Sequence, residues 1–235
     1  MNGLSNAATM PSTKRLVCLA NSRTLHGRCI AGREWKGTEA GGWIRPVSAR
    51  DGGEVSEYER QYADGSDPRV LDVIDVPVLE SRPKDYQTEN WLLDPKCYWE
   101  KAGRLSTSDL TVLTDPVAPL WIDGHSTYNG QNDKVPLTVA GAVTGSLRLL
   151  RVNRLRLLVS RPGEAFGNNK RRVQGRFRHA RSEYALWVTD PGWERTYLAK
   201  LNGTYDIGEC YLTVSLGEPY GDACYKLIAA IIPAT

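Results

Sequence analysis

Arginine side chains that could bind phosphate alternate with apolar side chains in two segments of the C-terminal half, residues 153–160 and 172–178. Successive side chains of a β-strand point to opposite faces, so in each segment the arginines share one face. Guanidinium groups pair bidentately with phosphate and also stack on bases. The pattern therefore predicts two strands with a polyanion-binding face. The arginines of that face are Arg154, Arg156, Arg172, Arg176 and Arg178.

The connection between the two segments, residues 161–171, would make them neighbouring strands of one sheet. Arginines that lie side by side on a sheet face repel one another unless an anion lies between them. A phosphate backbone would supply the anion, with Lys170 and Arg171 closing on it from the loop and Arg181 adding a further cation. Two alternatives stay open: the arginines pair with the acidic N-terminal half, or they form a solvated outer face.

Binding of a single strand also requires flat side chains on which bases stack. Trp187, Trp193 and Tyr184 are the candidates, although an isolated tryptophan in a strand is more often part of the core. A thinner mixture of arginine and tryptophan in the N-terminal half predicts a secondary contact surface. Its members are Arg23, Arg28, Trp43 and Arg45.

Charge is distributed unevenly along the 235 residues, although the net charge is only +3. Residues 51–119 contain 15 acidic and 7 basic residues, whereas residues 148–181 contain 11 basic residues and one acid, Glu164. Such asymmetry points to an anionic partner, but a basic segment can equally dock on the acidic half of its own chain. We expect RNA or single-stranded DNA as the main partner, with a protein partner as an alternative.

Patterns for catalysis and metal binding are weak in this sequence. Cys18, His26 and Cys29 could supply three metal ligands, but the usual zinc spacing and a fourth ligand are missing. The triplet Glu34-Trp35-Lys36 suits a nuclease-type metal site, yet the acidic residue that should precede it is absent. No phosphate-cradling or dinucleotide-binding glycine motif occurs. The sequence therefore predicts no catalytic residue, no metal and no cofactor, and a metal-dependent nuclease is the least favoured function.

Period-two alternation and β-branched or aromatic residues recur along the chain, while helical periodicity is scarce, so the chain is predicted to be mostly β. A short helix is expected at 56–62, and another from Ser106, whose spacing to Asp109 resembles a capping box. Residues 116–131, with Asp-Gly, Asn-Gly and two prolines, read as a long connection. The predicted strands are 14–20, 28–34, 43–47, 71–79, 147–160, 172–178, 183–189, 195–200, 210–216 and 225–232.

These strands fit an all-β protein with short helices, built from two small barrels. Residues 1–13 are expected to be a disordered leader, residues 14–130 a first barrel with inserted helices and loops, and residues 131–235 a second barrel. No run approaches the roughly 20 apolar residues of a membrane span. The five cysteines form no recognisable disulfide framework. A cytoplasmic protein is therefore expected.

Four segments taken in order resemble one bacterial family. They are KRLVCLANSRTLHGRCIAGR at 14–33, GGWIRPVS at 41–48, ENWLLD at 89–94, and 210–232 with its SLGEP and YKLIAA cores. Together they resemble the dual OB-containing domain, a poorly characterised family with two oligonucleotide-binding (OB) barrels. The resemblance implies that architecture and, by analogy of fold, recognition of nucleic acid or nucleotides in a setting of bacterial defence or mobile elements. It implies no catalytic residues.

In an OB barrel, the second and third strands and the loop before them form the nucleic-acid groove. In this chain those parts would be residues 172–178 and 183–189 and the loop that carries Lys170 and Arg171. The sequence therefore predicts binding of RNA or single-stranded DNA by the second barrel. A sensor of a nucleotide or modified base, or a protein-interaction module, is the alternative function.

Overall fold

Strands dominate the structure, a computed structural model that describes residues 12–24 and 27–234. In the first half the elements are β1 (Ser12–Arg23), β2 (Arg28–Trp35), β3 (Ala40–Val47), α1 (Glu57–Arg60), β4 (Asp72–Ser81), β5 (Asn90–Leu93) and β6 (Glu100–Arg104). In the second half they are β7 (Lys134–Pro136), α2 (Leu137–Ala140), β8 (Leu147–Ser160), β9 (Arg172–His179), β10 (Ser182–Val188), α3 (Pro191–Leu198), β11 (Gly203–Tyr220) and β12 (Ala223–Pro233). Within the described residues, no helix is long and apolar enough to cross a membrane.

The first six strands form a barrel with one added strand. Their order is β1-β2-β3-β5-β4-β6, and an antiparallel pairing of β1 with β4 closes the sheet. The third and fifth strands of the barrel, β3 and β5, run parallel. The barrel encloses buried side chains that include Leu16, Ile30, Ile74 and Trp99.

The second barrel repeats this arrangement in β8 to β12. The order is β10-β9-β8-β11-β12-β7, and a parallel pairing of β10 with β12 closes the barrel, as β3 and β5 pair in the first. In both barrels a short helix, α1 or α3, lies between the third and fourth strands. The strand order and the parallel closure fit the five-stranded Greek-key barrel of the OB fold. The predicted all-β class and the two-barrel architecture are confirmed.

Strand alternation follows the sequence closely in β8, whose bounds match the predicted strand, and Leu155, Leu157 and Val159 point into the barrel. The strand predicted at 195–200 is wrong, because this stretch belongs mostly to α3. Asp190 begins that helix: its carboxylate accepts hydrogen bonds from the backbone N–H groups of Gly192 and Trp193, and Pro191 occupies the first helical position. Asp-Pro is therefore a helix start here and not a hairpin turn.

Other sequence predictions are refined at the edges of elements. β1 begins at Ser12, inside the expected leader, and residues 1–11 lie outside the described residues. Ser106 does form a capping box with Asp109, at the start of a 3-10 helix over Thr107–Leu113. Residues 116–130 contain neither strand nor helix, so the long connection is confirmed. The domain boundary placed at 130/131 stays a prediction.

The two barrels pack directly against each other through apolar side chains. Val17 and Leu19 of β1 join Leu149, Tyr211 and Ile232 of the second barrel in one buried cluster. The contact is also hydrogen-bonded, because the Thr213 hydroxyl donates to the carbonyl of Leu19 at 2.6 Å. The arrangement holds the outer faces of both barrels in fixed positions relative to the connection between them.

Candidate nucleic-acid interface

A groove of about 940 Å³ runs over the outer face of β8, β9 and β10, the first three strands of the second barrel. Residues 128–131 of the connection between the barrels form its opposite wall, together with Val117. Strands two and three of an OB barrel are where ligands of this fold usually bind. The groove is lined by five arginines and one acidic side chain, Glu183. The arginines are Arg151, Arg154, Arg156, Arg176 and Arg178.

Three of these arginines pair with acids of the same barrel. Arg154 forms two hydrogen bonds to Asp206 on β11, and Arg178 lies 3.3 Å from Glu183 on β10. Arg151 donates to Glu209 at 2.7 Å. All three pairs are exposed to solvent, so each contributes little to stability. Among the described residues none of the predicted phosphate ligands pairs with the acidic first half.

Arg156 and Arg176 differ from their neighbours. They lie directly opposite each other in the antiparallel pair of β8 and β9, and both side chains are exposed. In the described part of the chain no carboxylate lies within 4.0 Å of either guanidinium, and Arg176 donates only to the amide oxygen of Gln174 at 3.1 Å. Like charges directly opposite in a sheet are unfavourable. An anion bridging the two guanidinium groups would remove that repulsion.

The loop before β9 holds its basic residues in different ways. Lys170 is exposed, and so is Arg181 at the tip of the hairpin between β9 and β10. Arg171, predicted to close on phosphate, instead donates to the carbonyls of Leu198 and Lys200 at the end of α3 and to the side chain of Asn202. Cationic side chains commonly satisfy the last carbonyls of a helix in this way. The structure therefore corrects the role of Arg171, which fixes the loop to α3.

Arg172 and Trp187 form a pair beyond the end of the groove, on the same face of β9 and β10 but outside the groove lining. The guanidinium of Arg172 lies 4.1 Å from the centre of the Trp187 ring, in cation–π geometry. Burial lowers the pKa of Arg172, while nearby Glu194 acts in the opposite direction. Trp187 thus offers one ring face to its own arginine and does not line the groove.

Trp193 is not a platform for bases. Its indole N–H donates to the carbonyl of Ile231 at 2.9 Å, and its ring stacks on Tyr197 at a centroid distance of 5.6 Å. The side chain packs against the buried cluster of the second barrel. Trp193 therefore lies on α3, packed against the barrel, and not on a strand that faces solvent.

Two exposed aromatic side chains at the groove were missed by the sequence reasoning. Tyr128 lines the groove and Phe166 belongs to the loop before β9; they are 85% and 74% exposed. Their rings meet edge to face with centroids 6.0 Å apart, so a broad face of each stays open. The available signal was a lone aromatic residue within a polar loop, in the sequences STYNGQN and GEAFGNN.

The connection between the barrels builds the groove because it is tied to the strands beneath it. Gln174 alternates with the arginines along β9, yet it is 1% exposed, because its amide donates to the carbonyl of Asn129 at 2.5 Å. Gln131 and Ala185 exchange backbone hydrogen bonds, and the side chain of Asn132 donates to the carbonyl of Glu183. The wall formed by residues 128–131 is therefore held by β9 and β10.

Buried polar groups anchor the same connection at the end of the barrel. The hydroxyl of Tyr184 donates to Asp123 at 2.8 Å, and the ammonium of Lys226 donates to the carbonyl of Ile122 at 2.6 Å. Burial lowers the pKa of Lys226 to about 8, against the opposing effect of Asp123. His179 at the end of β9 contacts the carbonyl of Ala118 at 2.9 Å, and burial lowers the pKa of this imidazole. These groups position the wall and carry no exposed charge into the groove.

The secondary surface predicted in the first barrel is mostly internal. Arg45 is 6% exposed, lies 3.2 Å from Glu89 and donates to Ser146 of the second half at 2.6 Å. The indole of Trp43 donates to Asp115 at 3.2 Å. Arg23 reaches across to Glu194 on α3 at 3.0 Å. These three residues connect the barrels, so the structure corrects their assignment to a ligand surface.

Arg28, the remaining member of that set, is half-buried between the barrels. Burial and the nearby guanidinium of Arg60 lower its pKa, which Asp67 partly offsets. Arg28 does not form a joint surface with Trp43, because the indole N–H of Trp43 donates to the carboxylate of Asp115. The geometry of the three candidate metal ligands, Cys18, His26 and Cys29, cannot be described, since His26 lies outside the described residues. Among the described residues, no cluster of three metal-ligating side chains occurs.

Comparison with known proteins adds one finding to this geometry. The family model of the dual OB-containing domain matches residues 14–231, nearly the whole chain. No curated protein and no solved structure matches the chain.

Proposed function

Because the chain belongs to the dual OB-containing domain family, we propose that it binds single-stranded nucleic acid, RNA or DNA, in the groove of its second barrel. The observation that carries the proposal is the position of Arg156 and Arg176, two exposed arginines that lie directly opposite each other in β8 and β9 and have no carboxylate within 4.0 Å in the described part of the chain. We expect a cytoplasmic protein of bacterial defence or mobile elements, a setting that follows from the family alone.

The groove offers the two kinds of contact that a single strand requires, phosphate contacts and base stacking, at different positions. Arg156 and Arg176 neutralise phosphates along its floor, and Arg154 and Arg178 can exchange their exposed carboxylate partners for phosphate. Tyr128 and Phe166 lie at the end of the groove next to the loop before β9, where they receive bases by stacking. Stacking is tolerant of base identity, so the proposal is for binding without strong sequence preference.

A single strand fits this groove better than a duplex. The wall formed by residues 128–131 lines the groove with the arginines and is hydrogen-bonded to β9 and β10, so it bounds the groove on one side. Stacking on Tyr128 and Phe166 also requires bases that are not already paired within a helix.

A salt titration of the full chain with labelled single-stranded oligonucleotides tests the proposal. Counterion release makes the logarithm of affinity fall linearly with the logarithm of salt, with a slope of about 0.7 for each phosphate neutralised. Two to four groove arginines in contact with phosphate predict a slope between about 1.4 and 2.8. Duplexes of the same sequence should bind more weakly. An affinity independent of salt, or equal affinity for the duplex, contradicts the proposal.

A further inference from the structure

A second cavity lies between the two barrels, away from the groove. It has a volume of about 300 Å³, within the range of small-molecule sites, and such sites often occur where domains meet. β1, β2 and β3 of the first barrel and β11 and β12 of the second supply its walls. The backbone hydrogen bond from Arg23 to the carbonyl of Thr189, 2.9 Å long, joins the barrels at its edge. We name this cavity the inter-barrel cleft.

The inter-barrel cleft contains guanidinium nitrogens without a hydrogen-bond partner. Arg28 and Arg45 both line it, and in the described part of the chain no acceptor bonds the buried Nη1 of Arg28 or the buried Nε of Arg45. Arg45 is 6% exposed and is already held by Glu89 and Ser146, so its Nε is fixed in place. Buried donors of charged groups normally find an acceptor, and each one left unpaired is costly.

The rest of the cleft combines an apolar surface with polar side chains that include the carboxylates of Glu54 and Glu218. Pro46 and Val47 on β3 face Leu216 and Leu227 on β11 and β12 across it. Cys29 forms part of the wall and is a half-buried free thiol. An acceptor-rich anionic group near Arg28 and Arg45, joined to a flat or apolar body against the leucines, would satisfy both parts of the cleft.

We propose that the inter-barrel cleft binds a small organic phosphate of the size of a nucleoside monophosphate, with the phosphate at Arg28 and Arg45 and the base against Leu216 and Leu227. Phosphate suits the guanidinium groups of Arg28 and Arg45 because it presents several strong acceptor oxygens to donors that come from two strands. The site is independent of the groove and shares no lining residue with it. Occupancy would bridge the two barrels and stabilise their contact.

Thermal unfolding of the full chain with AMP, GMP, CMP, UMP, inorganic phosphate and adenosine tests the proposal. At least one monophosphate should raise the midpoint temperature in a concentration-dependent manner, and adenosine should not. The R28Q variant should weaken binding of that monophosphate at least about tenfold, since a charge-assisted contact is removed. R82Q, which removes an exposed arginine of the first barrel outside the cleft, is the matched control.

Cysteine alkylation gives a readout that needs no variant. The bound monophosphate should slow the modification of Cys29 in the cleft and leave the exposed Cys97 of the first barrel unchanged. Binding that R156Q/R176Q weakens and R28Q does not would place the ligand in the groove and overturn the proposal. It is also overturned if no monophosphate protects Cys29, or if inorganic phosphate stabilises the chain as strongly as every monophosphate.

Discussion

In the first barrel, arginines of the second and third strands turn toward the neighbouring barrel, whereas in the second barrel arginines of the first two strands turn toward solvent. Arg33 and Arg45 are mostly buried and pair with Asp115 and Glu89. Arg156 and Arg176 occupy an exposed sheet face and lie directly opposite each other in β8 and β9. The same strand order and the same side chain thus serve two purposes, and the difference lies in what covers the face.

The connection between the barrels is the covering element, and it contacts the two barrels in different ways. Asp115, directly before the connection, holds the first barrel, because it accepts from Arg33, Trp43 and the backbone of Leu149. The later residues of the connection stop beside the arginine face of the second barrel and leave a groove there. A buried arginine must be compensated within the fold, while an exposed pair of arginines can await a ligand. Substitutions on the two barrels should therefore have opposite consequences.

Removing the buried arginine of the first barrel should have the largest effect on stability. R45M leaves the carboxylate of Glu89, 4% exposed, without its cation and Ser146 without a donor. Breaking a buried pair in this way costs about 3–5 kcal/mol of the free energy of unfolding. Urea unfolding measures the loss. R154M is the counterpart in the second barrel, and it should cause no measurable change, because the pair of Arg154 with Asp206 is exposed. Equal losses in both variants would contradict the comparison.

The sequence predicts those differences that depend on neighbouring residues in a strand, and not those that depend on residues far away in the chain. Alternation correctly predicted the bounds of β8 and the exposure of Arg154, Arg156, Arg176 and Arg178, because side-chain direction in a strand is a local property. It could not show that Gln174 on the same face is buried, since the cover comes from Asn129, 45 residues earlier in the chain. Nor could it separate Arg154 from Arg156, because Asp206 belongs to β11.

The first barrel shows the same limit of sequence-based prediction, because here alternation predicted an exposed surface for residues that the structure buries or pairs. Its arginines and tryptophan alternate as those of the second barrel do, and the pattern alone predicted a weaker copy of the binding surface. The inter-barrel contact that buries Arg45 and engages Trp43 is formed by residues more than 70 positions apart in sequence. Long-range packing therefore decides whether an alternating basic strand is a structural contact or an exposed site.

Neutralising the opposed pair of the second barrel should have the next largest effect, and on binding only. R156Q/R176Q should weaken binding of a single-stranded oligonucleotide by about 100-fold, because two charge-assisted contacts are lost. The slope of affinity against salt should fall by about 1.4. The free energy of unfolding should stay constant or rise slightly, since the repulsion between the two guanidinium groups is removed.

The control for this variant is R82Q/K96Q, which removes the same charge from exposed positions of the first barrel. It should leave affinity and slope nearly unchanged beyond the general effect of net charge. If both double variants weaken binding equally, the interaction is diffuse and does not use the groove. If R156Q/R176Q unfolds the protein, the pair is structural, and the contrast between the barrels fails.

Loss of the exposed aromatic pair should have the smallest of the three effects. Y128A/F166A removes two rings that contribute little to folding, because both are largely exposed. We expect affinity for single strands to fall by about tenfold, at the lower end of the range for base stacking, since the rings contact each other before the bases arrive. The salt slope should not change, which separates this variant from the loss of arginines. Y58A/Y98A, at exposed tyrosines of the first barrel, should bind as the unmodified chain does; equal weakening by both variants would show that bases do not stack beside the groove.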